Sequence, residues 1–509
     1  MLHAVRRAFI ALALAASTTV AAAQTNTVTV AQGFDPQTLW PNGTTASDNL
    51  NAGGVIVEPL LWNNPATGKT EPLLAESWEL VAPTTMKLTL RKGVSFTNGE
   101  PLNADAVVHS FKVFLDPKQA PAYANYAAAI DRVEKLDDMS VAVHTKFPYP
   151  PFELMLTQVY VTPPAYWASV GLEAYGQKPI GTGPFVLKEW VKDSQLVMER
   201  NAQYWGNGPK GNGPKGIDRL VWRPVPDDAA RVAGFTIGEF DIATNIPITA
   251  IGEIARLPDR EVIEVPSYRI FQLILSSLDE HPSPLKDKRV RQAMNYAVDK
   301  RLIIETLFAG RAFPLNGQVL RKEQLGFDPS LADYPYDPEK AKALLREAGY
   351  PDGFEIVFKF PSGRYAQDRE VSEAIAGMLA KVGVRAKMVS LEAGEFLRQL
   401  RARELQPMAF LGLAPLDDPD FQVAQYRSSW RYSYMRNAEL DALIDAGARE
   451  TDKAKRTDIY RKAMQLMHEE APIVFLYGGF DFYGVSKKLE GFRPRGDQRF
   501  FFYGVTLKP

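Results

Sequence analysis

"KPIGTGPFVLKEW" (178–190) sets a Gly-Thr-Gly triplet and a proline ahead of a short apolar run. Such a triplet either cradles an anion or turns the chain between strands. A cradle needs a helix next, whose free first-turn amides point at the anion. No helix pattern follows. "FVLKEW" and, after a polar break, "QLVMER" (195–200) read instead as two antiparallel strands. Pro184 fixes the backbone ahead of the first strand, and the glycines are expected to supply positive φ for a turn. The stretch is therefore read as structural.

Working outward, short strands and helices alternate. "TVTVAQ" (27–32), "MKLTLRKGVSFTN" (86–98) and "MSVAVHTK" (139–146) alternate apolar with polar, and the second of these ends in a turn at Asn98-Gly99. "NADAVVHSFKVFL" (103–115) predicts a helix capped by Asn103, with Val107, Phe111 and Phe114 on one face. "RVRQAMNYAVD" (289–299) puts Val290, Ala293, Met294, Ala297 and Val298 on a buried stripe. A further helix has Asp337 as cap, Pro338 in its first turn and Gly349 as its stop. Another runs from Asp368 to a stop at Gly383. Each of these two leads into a strand, "FEIVFKF" (354–360) and "RAKMVSL" (385–391), so the class is α/β.

His3, Arg6 and Arg7 precede an apolar run at 8–16 and small residues through Ala23, which is the pattern of a secretory leader cut before Gln24. The run is well short of the roughly 18–20 residues of a membrane span. With 509 residues the chain is too long for one core. A formal charge of −1 with mixed signs argues against nucleic acid or an anionic membrane as partner. The absence of cysteine excludes disulfides, thiolate metal sites, cysteine nucleophiles and a lipidated anchor.

The tandem "GNGPK" (206–210 and 211–215) creates formal matches to a dinucleotide fingerprint, but neither lies between a strand and a helix, so a surface loop is expected. The five histidines, His3, His109, His144, His281 and His468, include no pair three or four apart. Hydrolase and nucleotide motifs are missing, and Asp417-Asp418 alone does not make a glycosidase.

Six pieces stand in a recognisable order: "EPLLWNNPATGKTEPLLAESWEL" (58–80), "LRKGVSFTNGEPLNADAVVHSF" (90–111), "PIGTGPF" with "RNAQYW", "VRQAMNYAVDK" (290–300), "YDPEKAKALLREAGYPDGF" (336–354) and "LDALIDAGARETDKAKRTDIYRKAMQLMHEEAPIVFLY" (440–477). Together they resemble the extracytoplasmic solute-binding proteins, family 5, of peptide-type ABC importers. The resemblance implies a two-lobed α/β flytrap with a double crossover near Pro266 and Gly478-Gly479. It further implies a signal peptide at 1–23, a first lobe at 24–265 with a subdomain at 59–174, a second lobe at 266–479, and a return at 480–509. The expected activity is capture of a peptide or similar small polar solute in the periplasm, for delivery to an inner-membrane permease. No cofactor or metal is expected, and the protein is expected to be a monomer. An exported hydrolase and a receptor for a signalling or chemotaxis partner are the alternatives.

The resemblance also places the cleft on "GFDPQTLWPN" (33–42), "PSGRYAQD" (361–368) and "LGLAPLDDPDF" (411–421). Phe34 and Trp40 are candidates for stacking on the solute. Arg364 is the candidate for a two-pronged bond to a carboxylate, with Tyr365 beside it. Peptide binders of this family commonly carry a tryptophan and then an aspartate that grips the peptide amino group. Here Leu413, Ala414, Pro415 and Leu416 stand there, with Asp417 and Asp418 following. Leu413, Asp417 and Asp418 remain candidates, a cap for the next helix is an alternative role for the acids, and recognition of a free amino terminus is placed in doubt.

Overall fold

The computed structural model describes residues 26–44, 46–120, 126–208, 211–362, 364–430 and 432–508. The expected leader and its cleavage point at Gln24 lie outside them, as do Pro209 and Lys210 of the tandem repeat.

One large sheet holds the chain together. Its path begins with Val384–Glu392, Phe354–Ser362 and Met408–Leu413, then reaches two long strands, Arg260–Leu275 and Ile473–Ser486. It continues through Ile242–Ala243, Thr27–Gln32, Arg219–Pro224, Gln195–Arg200 and Phe185–Val191. The long strands are antiparallel, pairing from Arg260 opposite Ser486 to Ile274 opposite Ile473. Their ladder slips between Pro266 and Ile270 and again between Phe271 and Gln272. Proline has no N–H to give a ladder, so an irregularity at Pro266 follows from the sequence. Beyond the slip, Arg260–Leu275 turns its other edge to Met408–Leu413.

Apolar cores form on either side of this pair. Val28, Val30, Trp40, Leu220 and Trp222 belong to one, and Leu273, Val290, Met294, Phe358 and Val371 to another. A separate sheet, ordered Ala75–Ala82, Thr85–Leu90, Ser140–Thr145, Ile130–Asp137, has its own core with Phe111 and Phe114 of the helix Ala104–Leu115. Local signals behaved as the side chains dictate. Asn103 accepts the Ala106 amide at 3.0 Å and Asp337 that of Lys340 at 2.9 Å, while Gly349 and Gly383 end their helices at φ of +90° and +91°.

The Gly-Thr-Gly stretch is structural, but not through positive φ: neither Gly181 nor Gly183 adopts it. Glycine is required there by close approach. The Gly183 amide donates to the Ile56 carbonyl at 2.9 Å and Phe185 to that of Val55 at 3.2 Å. A Cβ on Gly181 would sit 2.0 Å from the Ile56 oxygen, and one on Gly183 2.4 Å from that of Val55. Between them Thr182 Oγ1 donates to Glu58 Oε2 at 2.8 Å. Tyr204 and Trp205 donate to the same carboxylate at 2.8 and 2.9 Å. Burial pushes the Glu58 carboxyl up to about 7, with these bonds opposing it. Gly181→Ala should therefore lower the free energy of unfolding by about 1–3 kcal/mol, the usual range for a forced clash. A urea midpoint equal to that of the parent would show that the crossing tolerates a side chain.

Candidate functional site

Where the long strands slip out of register, side chains from distant segments converge. Arg269 projects from the irregularity in Arg260–Leu275. Arg364 and Tyr365 come from the loop after Phe354–Ser362, and the Arg364 and Tyr365 amides are held by Asp368 Oδ2 at 2.8 and 3.1 Å. The Tyr365 hydroxyl donates to the Gly412 carbonyl at 3.2 Å, near the end of Met408–Leu413. Both guanidiniums lie over the same ring: the central carbon of Arg364 is 5.2 Å from the Tyr365 centroid and that of Arg269 is 5.5 Å away. Arg364 Nε donates to the Tyr365 hydroxyl at 3.0 Å. Among the described residues no carboxylate forms an ion pair with Arg364, and its terminal nitrogens have no partner.

The surroundings of Arg269 are polar. Arg269 Nη2 donates to Gln498 Oε1 at 3.0 Å, and Gln498 Nε2 donates to Asp481 Oδ1 at 2.6 Å. Gln498 is held in turn by Asn51, whose amide donates to its carbonyl at 3.1 Å. Asp48 lies nearby at the start of the helix Ser47–Gly54. Burial pushes its carboxyl up to about 7 against the pull of Arg231 and Arg269. Asp481 is also raised by burial, against Arg269 and the Gln498 bond.

The other expected site residues fare differently. Phe34 is 48% exposed at the end of the first strand. Trp40 has no face to offer a ligand: it is 1% exposed, packs edge-on against Trp167 and Tyr175, and donates its indole N–H to the Gln119 carbonyl at 3.1 Å. Leu413 is likewise a packing residue, in a cluster with Ile274, Phe396 and Tyr434. Asp417 is taken by Arg321 and by Gln324. Asp418 accepts two bonds from Arg456, at 2.7 and 3.0 Å, and caps the helix Pro419–Val423 through the Asp420 amide. That cap is the alternative role noted from sequence. Arg269 and Gln498 were missed. The only cue to Arg269 is a lone cation where Pro266-Ser267 interrupts a strand pattern; Gln498 has none.

Residues 69–434 match the family described as bacterial extracellular solute-binding proteins, family 5 Middle. The chain belongs to this family. Relatives include the dipeptide-binding protein of Escherichia coli (strain K12), 31% identical over 94% of both chains. Helicobacter pylori DppA in complex with peptide STSA superposes with a TM-score of 0.82 at 25% identity, over 95% of this chain and 98% of that one. AgaA of A. tumefaciens R10 in complex with agropinic acid gives 0.83 at 25% identity, over 95% and 99%. The fold is accordingly the two-lobed one of periplasmic binding proteins.

In this family 5 protein the segment 416–421 also meets the small four-stranded sheet. Leu416 and Phe421 of the second lobe enter the core of the small sheet. The Tyr149 hydroxyl donates to Asp420 Oδ2 at 3.2 Å, and Arg449 lies 4.7 Å over the Phe147 ring. Tyr460 donates to the other Asp420 oxygen at 3.4 Å. Burial, helped by the charge of Asp418, pushes the Asp420 carboxyl up to about 6 from 3.8. A raised carboxyl stabilises the folded protein below its unfolded pKa and loses that contribution as pH rises through the folded one. Between pH 4 and 7 the parent should therefore lose stability relative to Asp420→Asn, by on the order of 1–3 kcal/mol. Parallel melting curves of the two proteins across that range test the point; curves that keep a constant separation would contradict it.

Proposed function

We propose that this chain captures a carboxylate-bearing, peptide-like solute between its lobes, with Arg364 as the anchor, and presents the closed complex to an inner-membrane permease. Solute binding for ABC import is the function of the family to which the chain belongs. The observation that carries the choice of solute is the state of Arg364. Asp417 and Asp418, which also border that region, are each engaged by an arginine, whereas Arg364 presents a planar fork with no ion-pair partner among the described residues. A carboxylate fits that fork with two parallel hydrogen bonds. Because both acids are engaged, no ammonium grip on a free peptide amino terminus is included.

The reading has a mechanical part. Lobe boundaries near Pro266 and Gly478-Gly479 agree with the register slip between Pro266 and Ile270, and solute binding shifts the lobes toward closure by favouring the closed state. The protein acts in the periplasm after cleavage before Gln24, as a monomer, and leaves its solute chemically unchanged.

A thermal-shift screen of dipeptides, N-acetylated peptides, opines, saccharides and nickel chelates tests the solute class. A true ligand at a hundredfold excess over Kd adds about 2.7 kcal/mol of stability. Failure of every carboxylate-bearing pool to raise the melting point would remove the proposal. With a ligand identified, Arg364→Ala should weaken binding by about 30-fold or more, since removing one side of a buried charge pair costs roughly 2–5 kcal/mol. Arg364→Lys should restore only part, because an ammonium cannot reproduce the fork. Acetylating the amino group of a peptide ligand should leave its Kd within about threefold, a change worth less than 1 kcal/mol; a loss of 30-fold or more would reveal an ammonium grip elsewhere.

A further inference from the structure

Arg269 is the second cation over the Tyr365 ring, and like Arg364 it forms no ion pair among the described residues. This sets it apart from its neighbours. Arg321 pairs with Asp417, Arg456 with Asp418 and Arg495 with Asp497. Among the described residues, the sole hydrogen-bond partner of the Arg269 side chain is the neutral Gln498 oxygen, and its Nε, shielded from solvent, has none. Asp48 and Asp481 act on it only from beyond ion-pair distance, and burial drives both toward the uncharged form. The positive charge of Arg269 is therefore incompletely answered by the protein.

Space is kept for this side chain. A Cβ on Gly412 would lie 3.0 Å from Arg269 Cδ and 2.8 Å from the Phe271 ring. Glycine at 412 lets the arginine stem pass over the strand end to reach Tyr365. The same glycine fixes Tyr365 through its carbonyl. Two guanidiniums 5.2 and 5.5 Å from one ring centroid are within the span of a single small solute.

We infer that Arg269 is a specificity-determining residue forming a second anion subsite, so that the preferred solute carries two acidic groups, one for Arg364 and one for Arg269. The inference rests on the carboxylate reading proposed above and extends it to the charge of the solute. A solute with a single carboxylate leaves Arg269 desolvated and unanswered on lobe closure, which is unfavourable. A dicarboxylate removes that penalty.

The probes are N-acetyl-Ala-Glu and N-acetyl-Ala-Gln, of nearly equal shape, which differ in one carboxylate against an amide. Calorimetric titration of the full-length protein should give the acid at least tenfold tighter binding than the amide. Arg269→Ala should erase that ratio, bringing the affinities of the two peptides to within about threefold of each other. Arg269→Lys, which keeps the charge, should retain part of the ratio. Arg364→Ala should weaken both peptides. A merely structural role for Arg269 would weaken acid and amide together and leave their ratio intact, which would overturn the inference. Equal affinities of the two peptides for the parent protein would also overturn it while leaving the carboxylate reading in place. Binding of neither peptide would overturn both.

Discussion

The antiparallel pairing of Arg260–Leu275 with Ile473–Ser486 is the constraint on which everything else hangs. In the described strand order of the large sheet these two strands join the group around Met408–Leu413 to the group that begins at Ile242–Ala243. Regular pairing at each end ties each lobe firmly to its own stretch of the ladder. The slip between Pro266 and Ile270 interrupts that ladder in the middle. Missing ladder bonds make this the most compliant point of a stiff connection, so bending concentrates there. Arg269 lies in the same slip, so the break in pairing and one wall of the candidate site arise from a single irregularity.

Charge is distributed around that point with little redundancy. Arg321, Arg456 and Arg495 are each tied to an aspartate, and these pairs hold loops in place. Arg364 and Arg269 share an aromatic ring instead. Cation–ring contact holds a guanidinium in position without neutralising it, and Tyr365 is itself fixed by the Gly412 carbonyl. The result is preorganised positive potential, with the orientation set before a ligand arrives.

Features carried by contiguous residues were legible in the sequence. Asn103 and Asp337 cap their helices because a side-chain oxygen reaches an amide three residues on, a purely local relation. The hairpin of Phe185–Val191 with Gln195–Arg200 follows from alternation and a short break. Family resemblance supplied the two lobes. What stayed hidden depends on partners far away in the chain. Gly181 and Gly183 suggested a turn, yet their role is set by carbonyls of Val55 and Ile56. Trp40 looked available beside a proline, but Trp167, Tyr175 and the Gln119 carbonyl enclose it. Leu413 sits on a cleft-bordering loop by sequence, but strand alternation turns it into the core beside Phe396. Arg269 and Gln498 are 229 positions apart, and no local pattern joins them.

The crossing at Gly181 and Gly183 determines which parts of the molecule can move. Backbone there lies directly on backbone, with Thr97 bonded to one side and Val55 and Ile56 to the other. Main-chain atoms in such contact cannot slide without breaking several hydrogen bonds at once, so the small four-stranded unit is clamped to the first lobe as one rigid piece. Parting the small sheet from the segment around Asp420 would have to separate Tyr149 from Asp420, lift Arg449 off Phe147, and pull Leu416 and Phe421 out of an apolar socket. Those contacts form a clasp that any relative movement of the two parts must undo.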